Sequence, residues 1–550
     1  MKEKNAGAHP PKPDSWKGDP DLEEAVSELV EMLLSGKIRT REELQREKVR
    51  VLKDRKTKEV PANSVILDFI RYFYPDNENE LIGLLKKKPS RTLSGVAVVA
   101  VMTSPSACPH GKCIFCPGGV DQEVPTPQSY TGREPAAMRA KQNDFDPERQ
   151  VARRIRQLLD IGHDADKIDL ILMGGTITAR EVDYQYDFVK GCFDGMNGDR
   201  SRDLREAHER NEKSAHRCIG MTFETRPDHL GRKECDLVLE LGGTRIELGV
   251  QSLFDLPLIK SQRGHEVKDS MDSTRLAKDT GLKVGYHMMP GMPGSTKEMD
   301  AGTAWKAFNE DEFKPDMIKI YPTLVIKGTS LHEMWLQGEY EPLSTEDAAE
   351  LVAEMKRMTP PWVRIQRVQR DIPSPLVEEG VKKSNLRQLS QLIMEKRGWT
   401  CRCIRCREIG HRMEKGAELP TREDVSLSRR EYEASGGKEV FLSFEVETED
   451  SLIGFVRLRK PSDTAYRKEM EGSGIVRELK VFGPLVPIGR AAEEEWQHRG
   501  YGRELLAYAG SIVKDEWGLE RILVTSGVGA REYYRKLGYE RIGPYMGKKL

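Results

Sequence analysis

Net charge is what this sequence most plainly lacks. Its 88 basic residues stand against 89 acidic ones, so no overall field draws it to nucleic acid or to a membrane, and only local patches can select a partner. It also has no uninterrupted apolar run approaching the ~18 residues of a membrane span, and its N-terminus carries neither an apolar signal core nor a cleavage-like site. The expectation is a soluble, cytoplasmic protein with no membrane partner. Cysteine is too sparse for a disulfide framework: six of the nine fall into two tight clusters, which suits a reducing compartment and metal chemistry. Cys192, Cys218 and Cys235 are scattered and read as packing residues. At 550 residues the chain is too long for one core, so two or three domains are expected.

The first cluster is the most informative segment. Cys108, Cys113 and Cys116 follow directly on the apolar run Val96 to Met102. Three thiolates can hold three irons of a 4Fe-4S cluster and leave the fourth open, whereas clusters used only for electron transfer normally take four cysteines. S-adenosylmethionine can chelate the open iron through its amino and carboxylate groups and be cleaved there to a radical. A structural zinc knuckle is the competing reading, opposed by the absence of a fourth Cys or His at zinc spacing. His110 sits between ligands at a spacing that would strain a four-ligand cage, and reads as a loop residue.

From Ser94 onward, short apolar runs alternate with helical stretches: Val96 to Met102, Ile168 to Met173, Ile219 to Phe223, Arg245 to Val250, Leu282 to Met288 and Met317 to Ile320, with Trp362 to Val368 as a seventh. This repeat predicts parallel strands with right-handed crossovers in an open or closed α/β barrel, whose chemistry gathers at the C-terminal strand ends. Gly174, Gly175 and Thr176 end the second run. Glycine there lets the backbone approach a ligand such as the methionine ammonium of the cofactor; an ordinary βα turn is the alternative.

Before the barrel, Asp21 to Ser35 has helical spacing, and Lys37 to Lys58 carries ten Lys or Arg against four acids. Lys86, Lys87, Lys88 and Arg91 form a second basic group. Solvated helix faces and a nucleic-acid landing surface both fit these patches. After the barrel, Cys401, Cys403 and Cys406 read as structural zinc ligands, with His411 competing for the fourth position and a second iron-sulfur cluster as the competing chemistry. Beyond about residue 425 the pattern turns to alternating strands: Val440 to Val446, Leu452 to Leu458, Ile475 to Val481 and Arg521 to Thr525. Between the last two lies Gln497-His-Arg-Gly500-Tyr501-Gly502-Arg503, leading into a helix over Glu504 to Glu516. Glycines before a helix N-terminus suit the pyrophosphate of an acyl-CoA. Tyr533 and Tyr534 follow, where a hydroxyl could meet a thioester sulfur or simply pack.

Together these segments closely resemble the family of the catalytic third subunit of the Elongator complex, which modifies the wobble uridine of tRNA. The resemblance rests on CPHGKCIFCPGG (Cys108 to Gly119), QSYTGREPAAMR (Gln128 to Arg139), MGGT (Met173 to Thr176), ETRPD (Glu224 to Asp228), RIELGVQS (Arg245 to Ser252), YHMMPGMPG (Tyr286 to Gly294), VRELKV (Val476 to Val481) and SGVGAREYYRKLGY (Ser526 to Tyr539). It implies an α/β radical-SAM partial barrel (94–395), preceded by a basic helical tRNA-binding region (1–93) and followed by a zinc-binding linker (396–424) and a C-terminal GNAT α+β domain (425–550). Its implied cofactors are a 4Fe-4S cluster on Cys108, Cys113 and Cys116, S-adenosylmethionine at Gly174 to Thr176, zinc on Cys401, Cys403 and Cys406, and acetyl-CoA as co-substrate. Acetyl-CoA would lie against Glu478, Leu479, Lys480 and Val481, with Tyr501, Gly502 and Arg503 as its pyrophosphate loop; Tyr534 at the thioester and Lys167 are the implied catalytic positions. The radical would take a hydrogen atom from the acetyl methyl, the carbon would add to C5 of uridine 34, and hydrolysis would leave a carboxymethyl group. The anticodon loop would be the nucleic-acid partner, with Tyr130 and Arg133 facing cofactor or RNA; the electron donor and the choice of monomer or homodimer stay open. A lysine acetyltransferase with Glu478 as general base is the rival enzyme, and a nonenzymatic RNA-binding subunit is the rival binding protein.

Overall fold

A computed structural model describes residues 20–55, 60–86, 95–410, 420–482 and 500–550. His411, Lys87, Lys88, Arg91 and Gln497 to Arg499 lie outside the described residues. The chain forms two units, one built mainly on the N-terminal segment and one holding both of the large sheets.

The N-terminal unit is helical, with Pro20–Leu34, Arg41–Arg55, Asn63–Phe73 and Glu78–Leu85 as its elements. Its core comes from Val26, Leu29, Leu33, Leu44, Val51, Ile66, Ile70 and Leu81. The basic run is therefore amphipathic: Leu44 and Val51 turn inward while most of its charges face solvent. Lys48 is the exception, buried with its ammonium donating to the Pro61 carbonyl at 2.7 Å.

The parallel sheet of the larger unit uses β1 (Ala97–Met102), β2 (Lys167–Met173), β3 (Arg217–Thr225), β4 (Arg245–Gln251), β5 (Lys283–Met288), β6 (Met317–Ile320) and β8 (Arg364–Val368). They lie side by side in chain order, and every pairing from β2 to β8 is parallel. A short β7 (Val325–Ile326) leaves the sheet and pairs with β9 (Val377–Glu379). β2 shows how the inner face is made: Ile168, Leu170 and Leu172 are fully buried on one side, while Lys167, Asp169, Ile171 and Met173 are only partly covered on the other. The side chains of one strand alternate between faces, so the second set lines the concave interior.

The C-terminal domain is a mixed sheet of β10 (Ser426–Ala434), β11 (Gly437–Val446), β12 (Ser451–Lys460), β13 (Ser473–Val481), β14 (Arg521–Val524), β15 (Glu540–Ile542) and β16 (Tyr545–Lys549). Among the described residues its one parallel pair is β13 with β14. Phe441, Phe444, Val456, Val476, Leu505 and Val513 fill its core.

This domain caps the N-terminal ends of the barrel strands. Arg477 of β13 makes two bonds of 2.6 Å to Asp316, the residue before β6, and one of 2.8 Å to Glu439. Arg459 reaches Asp279, just before β5, at 2.6 Å. Lys278 lies between Asp316 and Glu439 at 3.8 and 3.6 Å. All of these groups are at most 3% exposed. Gly281 belongs to the same seam: its φ is +79°, and a Cβ there would stand 2.3 Å from Ile475, so only glycine allows the approach.

Candidate active site

At the C-terminal end of β1 the chain turns through Cys108, Cys113 and Cys116. The loop is held by its own backbone, with the Gly111 amide on the Cys108 carbonyl at 3.1 Å and the Cys116 amide on that of Cys113 at 3.0 Å. Gln128 braces it, accepting from the Cys108 amide at 3.2 Å and donating to the Gly111 carbonyl at 2.7 Å. Two cationic or polar donors converge on one sulfur: His110 Nε2 lies 3.1 Å and Arg263 Nη1 3.4 Å from Cys113 Sγ. The Cys116 hydrogen bond, helped by His110 and Arg263, holds the Cys113 thiol well below its ordinary value, while Cys116 is pushed up as the group that keeps the shared proton. A thiol disposed toward its thiolate form suits an iron ligand. His110 is thus more than a loop filler, because it orients on the Cys113 sulfur.

Gly174 and Gly175 sit at the end of the neighbouring β2, at φ +129° and +106°. Their roles divide. A Cβ on Gly174 would fall 2.1 Å from Thr103 Oγ1, whereas one on Gly175 would meet nothing within 4 Å. Gly174 lets two strand ends close together, and Gly175 lines open space. Thr176 follows, its hydroxyl 3.6 Å from Cys108 Sγ. A free backbone surface beside the cysteine loop fits a ligand with an amino acid head group.

The residues expected to receive acyl-CoA gather on the C-terminal domain. Glu478 to Val481 are the partly covered end of β13. Glu478 accepts from Arg457 at 2.9 Å and lies 3.6 Å from Lys283, the first residue of β5. Burial would raise its carboxyl, but Lys283 and Arg457 outweigh that and hold it at about 2. Gly500, at φ +83°, turns the chain into the helix Tyr501–Ser511. Gly502 permits a close approach: a Cβ there would meet the Tyr533 hydroxyl at 2.9 Å, Val481 at 3.7 Å and Leu479 at 3.9 Å. Arg503 is exposed beside it, while Tyr501 is buried against Phe444. The two adjacent tyrosines part company. Tyr533 is 42% exposed with its hydroxyl against Gly502, and Tyr534 is buried edge-on between Tyr533 and Tyr539. Lys167 stands at the foot of β2, two residues before Asp169, whose charge acts on Lys480.

Between these ends the barrel interior is charged, which the sequence pattern did not bring forward. Arg245 on β4 lies 3.2 Å from Asp169 and 3.5 Å from Glu247. Glu247 in turn meets His287 at 3.0 Å and is paired with Lys319. Lys319 lies 3.1 Å from Glu224, and Glu224 accepts from the Tyr130 hydroxyl at 3.2 Å. Arg370 covers the Tyr130 ring at 5.4 Å. Tyr130 thereby belongs to the barrel interior, while Arg133 is exposed. The signal was present as isolated charges inside apolar strands, such as Lys319 in MIKI and Glu247 in RIELGV.

Cys401, Cys403 and Cys406 form a second site, their sulfurs all within 4.8 Å of one another. Hydrogen bonds from Cys401 and Cys406 hold the Cys403 thiol well below its ordinary value. The donor set suits a thiophilic metal. Its position is structural: Ile404 bonds to the Val363 carbonyl at 3.0 Å, and Glu408 meets Arg364 of β8 at 2.9 Å while bridging to Leu452 of β12.

Four family models match the chain: the ELP3 N-terminal domain over 22–93, the Radical SAM superfamily over 102–303, the Radical SAM C-terminal domain over 315–396 and the acetyltransferase (GNAT) domain over 439–541. A tRNA uridine(34) acetyltransferase of Methanocaldococcus jannaschii is 54% identical over 493 residues, 89% of this chain and 90% of that protein. Elongator complex protein 3 of Homo sapiens is 44% identical over 496 residues, again 89% and 90% of the two chains. The solved structure of the archaeal Methanocaldococcus infernus Elp3 with an N-terminal deletion superposes with a TM-score of 0.74 at 49% identity, covering 83% of this chain and all of that one. The radical-SAM match implies a 4Fe-4S cluster and S-adenosylmethionine, and the GNAT match implies acetyl-CoA.

Proposed function

This chain belongs to the family of tRNA uridine(34) acetyltransferases and Elongator complex protein 3, and on that premise we propose that it attaches an acetyl-derived carbon to C5 of the tRNA wobble uridine, leaving a carboxymethyl group once the thioester is hydrolysed. Cys108, Cys113 and Cys116 would hold the 4Fe-4S cluster, with Gly175 and Thr176 against S-adenosylmethionine; bound there, the pair supplies a hydrogen-abstracting 5'-deoxyadenosyl radical. Leu479 to Val481, Gly502 and Arg503 would receive acetyl-CoA, and the basic N-terminal residues 22–93 the anticodon loop. Cys401, Cys403 and Cys406 would hold structural zinc. The supporting observation is the pairing of a three-thiol loop and a GNAT strand at opposite ends of one barrel, joined by fully buried ion pairs.

Glu478 weakens the lysine acetyltransferase reading. Held at about 2 by Lys283 and Arg457, it is a poor proton acceptor at neutral pH, where amine acetylation wants a base with a pKa near 7. Offering the reconstituted protein tRNA and lysine-rich peptides side by side, with acetyl-CoA and S-adenosylmethionine, separates the two. Carboxymethyluridine at position 34 is expected; acetylated peptide with unmodified tRNA would overturn the proposal.

A further inference from the structure

Barrel interiors are ordinarily filled by layers of branched apolar side chains. This one carries charge at three successive levels. In register across β3, β4 and β5 lie Thr222, Arg245 and Lys283, above them Glu224, Glu247 and Gly285, and above those His287 of β5 beside Lys319 of β6. Burying ions is costly even when they pair, so a packed apolar core would serve a mere scaffold better. The inner face of β2 is also incompletely covered: Asp169, Ile171 and Met173 retain exposure while Leu170 and Leu172 between them have none. An interior that is polar and still reachable has the character of a passage.

Its two ends are those of the two cofactor sites. The floor is β13, where Glu478 meets Lys283 at 3.6 Å and Lys480 feels the charge of Asp169. The top is the cysteine-loop end, where Glu224 meets Tyr130. Four residue steps along β5 carry the chain from Lys283 to His287, a climb of about 13 Å. A hydrogen atom moves only between atoms in contact, and the buried Asp316, Arg477, Glu439 and Arg459 network holds the floor against the barrel. The moving part must therefore be the ligand.

We propose that the barrel interior is the passage through which the acyl end of acetyl-CoA rises from the β13 floor to the cysteine loop, with the partly exposed Asp169, Ile171, Met173 and His287 as its walls and the buried Glu247 and Lys319 behind them. This rests on the reading that the acetyl thioester is the radical's substrate. A nucleobase descending to the floor is the competing use of the same space.

Ile171 gives an uncharged reporter at mid-height. In the full-length, cluster-reconstituted Ile171→Cys protein, bromoacetyl-CoA should alkylate the new thiol, the thiolate displacing bromide. Tethering raises local concentration, so peptide mapping should show labelling at position 171 roughly 100-fold faster than by bromoacetamide at equal concentration, and acetyl-CoA should suppress it. Equal rates for the two reagents, or no protection by acetyl-CoA, would overturn the passage. The obstructing variant Ile171→Trp should keep acetyl-CoA binding and S-adenosylmethionine cleavage but lose at least tenfold of the deuterium that trideuteroacetyl-CoA delivers to 5'-deoxyadenosine. Undiminished transfer would also overturn the passage, whereas wild-type protein that transfers no deuterium would overturn the underlying reading instead. Should the tryptophan variant fail to fold, the cysteine labelling decides alone.

Discussion

Gly174 and Gly175 are adjacent, share a left-handed backbone and have different reasons to be glycine. Alanine at Gly174 collides with Thr103, so Gly174→Ala should lower the thermal midpoint and S-adenosylmethionine binding together. Gly175→Ala adds a methyl to open space, with backbone strain of roughly 1–3 kcal/mol, and should weaken cofactor binding in equilibrium dialysis with a much smaller loss of stability. Equal effects on stability would contradict the division. Tyr533 and Tyr534 make a similar pair. Tyr533→Phe removes the hydroxyl facing Gly502 and should weaken acetyl-CoA binding several-fold in calorimetry, while Tyr534→Phe should leave affinity nearly unchanged. The residue pattern left both tyrosines open and the family resemblance pointed to Tyr534, which the structure buries while leaving Tyr533 exposed; two consecutive residues on a helix point about 100° apart, and nothing local says which faces the core. The cysteine spacing stood out for the opposite reason, since metal ligands are few, close together and drawn from a short set of donor side chains.

Among the elements, all seven strands of the parallel sheet could be read directly, most as short apolar runs buried on the outer face, although β8 (RIQRV) buries Ile365 alone. β10 and β15 could not: Ser426 to Ala434 alternates with charged residues, and only its pairing with β11 makes it a strand. The helix predicted over Glu504 to Glu516 starts earlier, at Tyr501, and its last turn loosens into a π-helix over Ile512–Glu516. The Cys401 to Glu408 segment joins β8 to β12, so its metal would fasten the two sheets. Stripping that metal with a strong chelator, with the iron site separately blocked or removed, should lower the thermal midpoint. An unchanged midpoint after complete removal would show that the protein linkages suffice.

For the whole molecule, the arginines inside apolar strands of the C-terminal domain carried the information that was missed. Arg457, Arg459 and Arg477 each interrupt an otherwise apolar run, and all three turn out to meet acidic groups of the barrel, Asp316 or Asp279. Sequence alone gave no hint of the partners, which lie 141 to 180 residues away. Arg477, Lys278 and Arg457 hold the Asp316 carboxyl well below its ordinary value of 3.8 against the opposing effect of burial. A depressed carboxylate contributes stability above its unfolded pKa, lost as pH falls below about 4 toward the folded value. Asp316→Asn leaves those cations buried without their counter-ion and should cost about 3–5 kcal/mol in urea titrations at pH 7. The deficit should shrink below pH 4 if the charge is responsible; a deficit independent of pH would assign the effect to packing.

The central claim is that a barrel and a C-terminal domain joined by buried ion pairs couple radical chemistry at the cysteine loop to a thioester held by the C-terminal domain. Trideuteroacetyl-CoA tests it most directly when tRNA and S-adenosylmethionine are supplied to the reconstituted protein. The account predicts one deuterium in 5'-deoxyadenosine and two in the carboxymethyl group at uridine 34. Undeuterated 5'-deoxyadenosine, or a product retaining all three deuteriums, would contradict it.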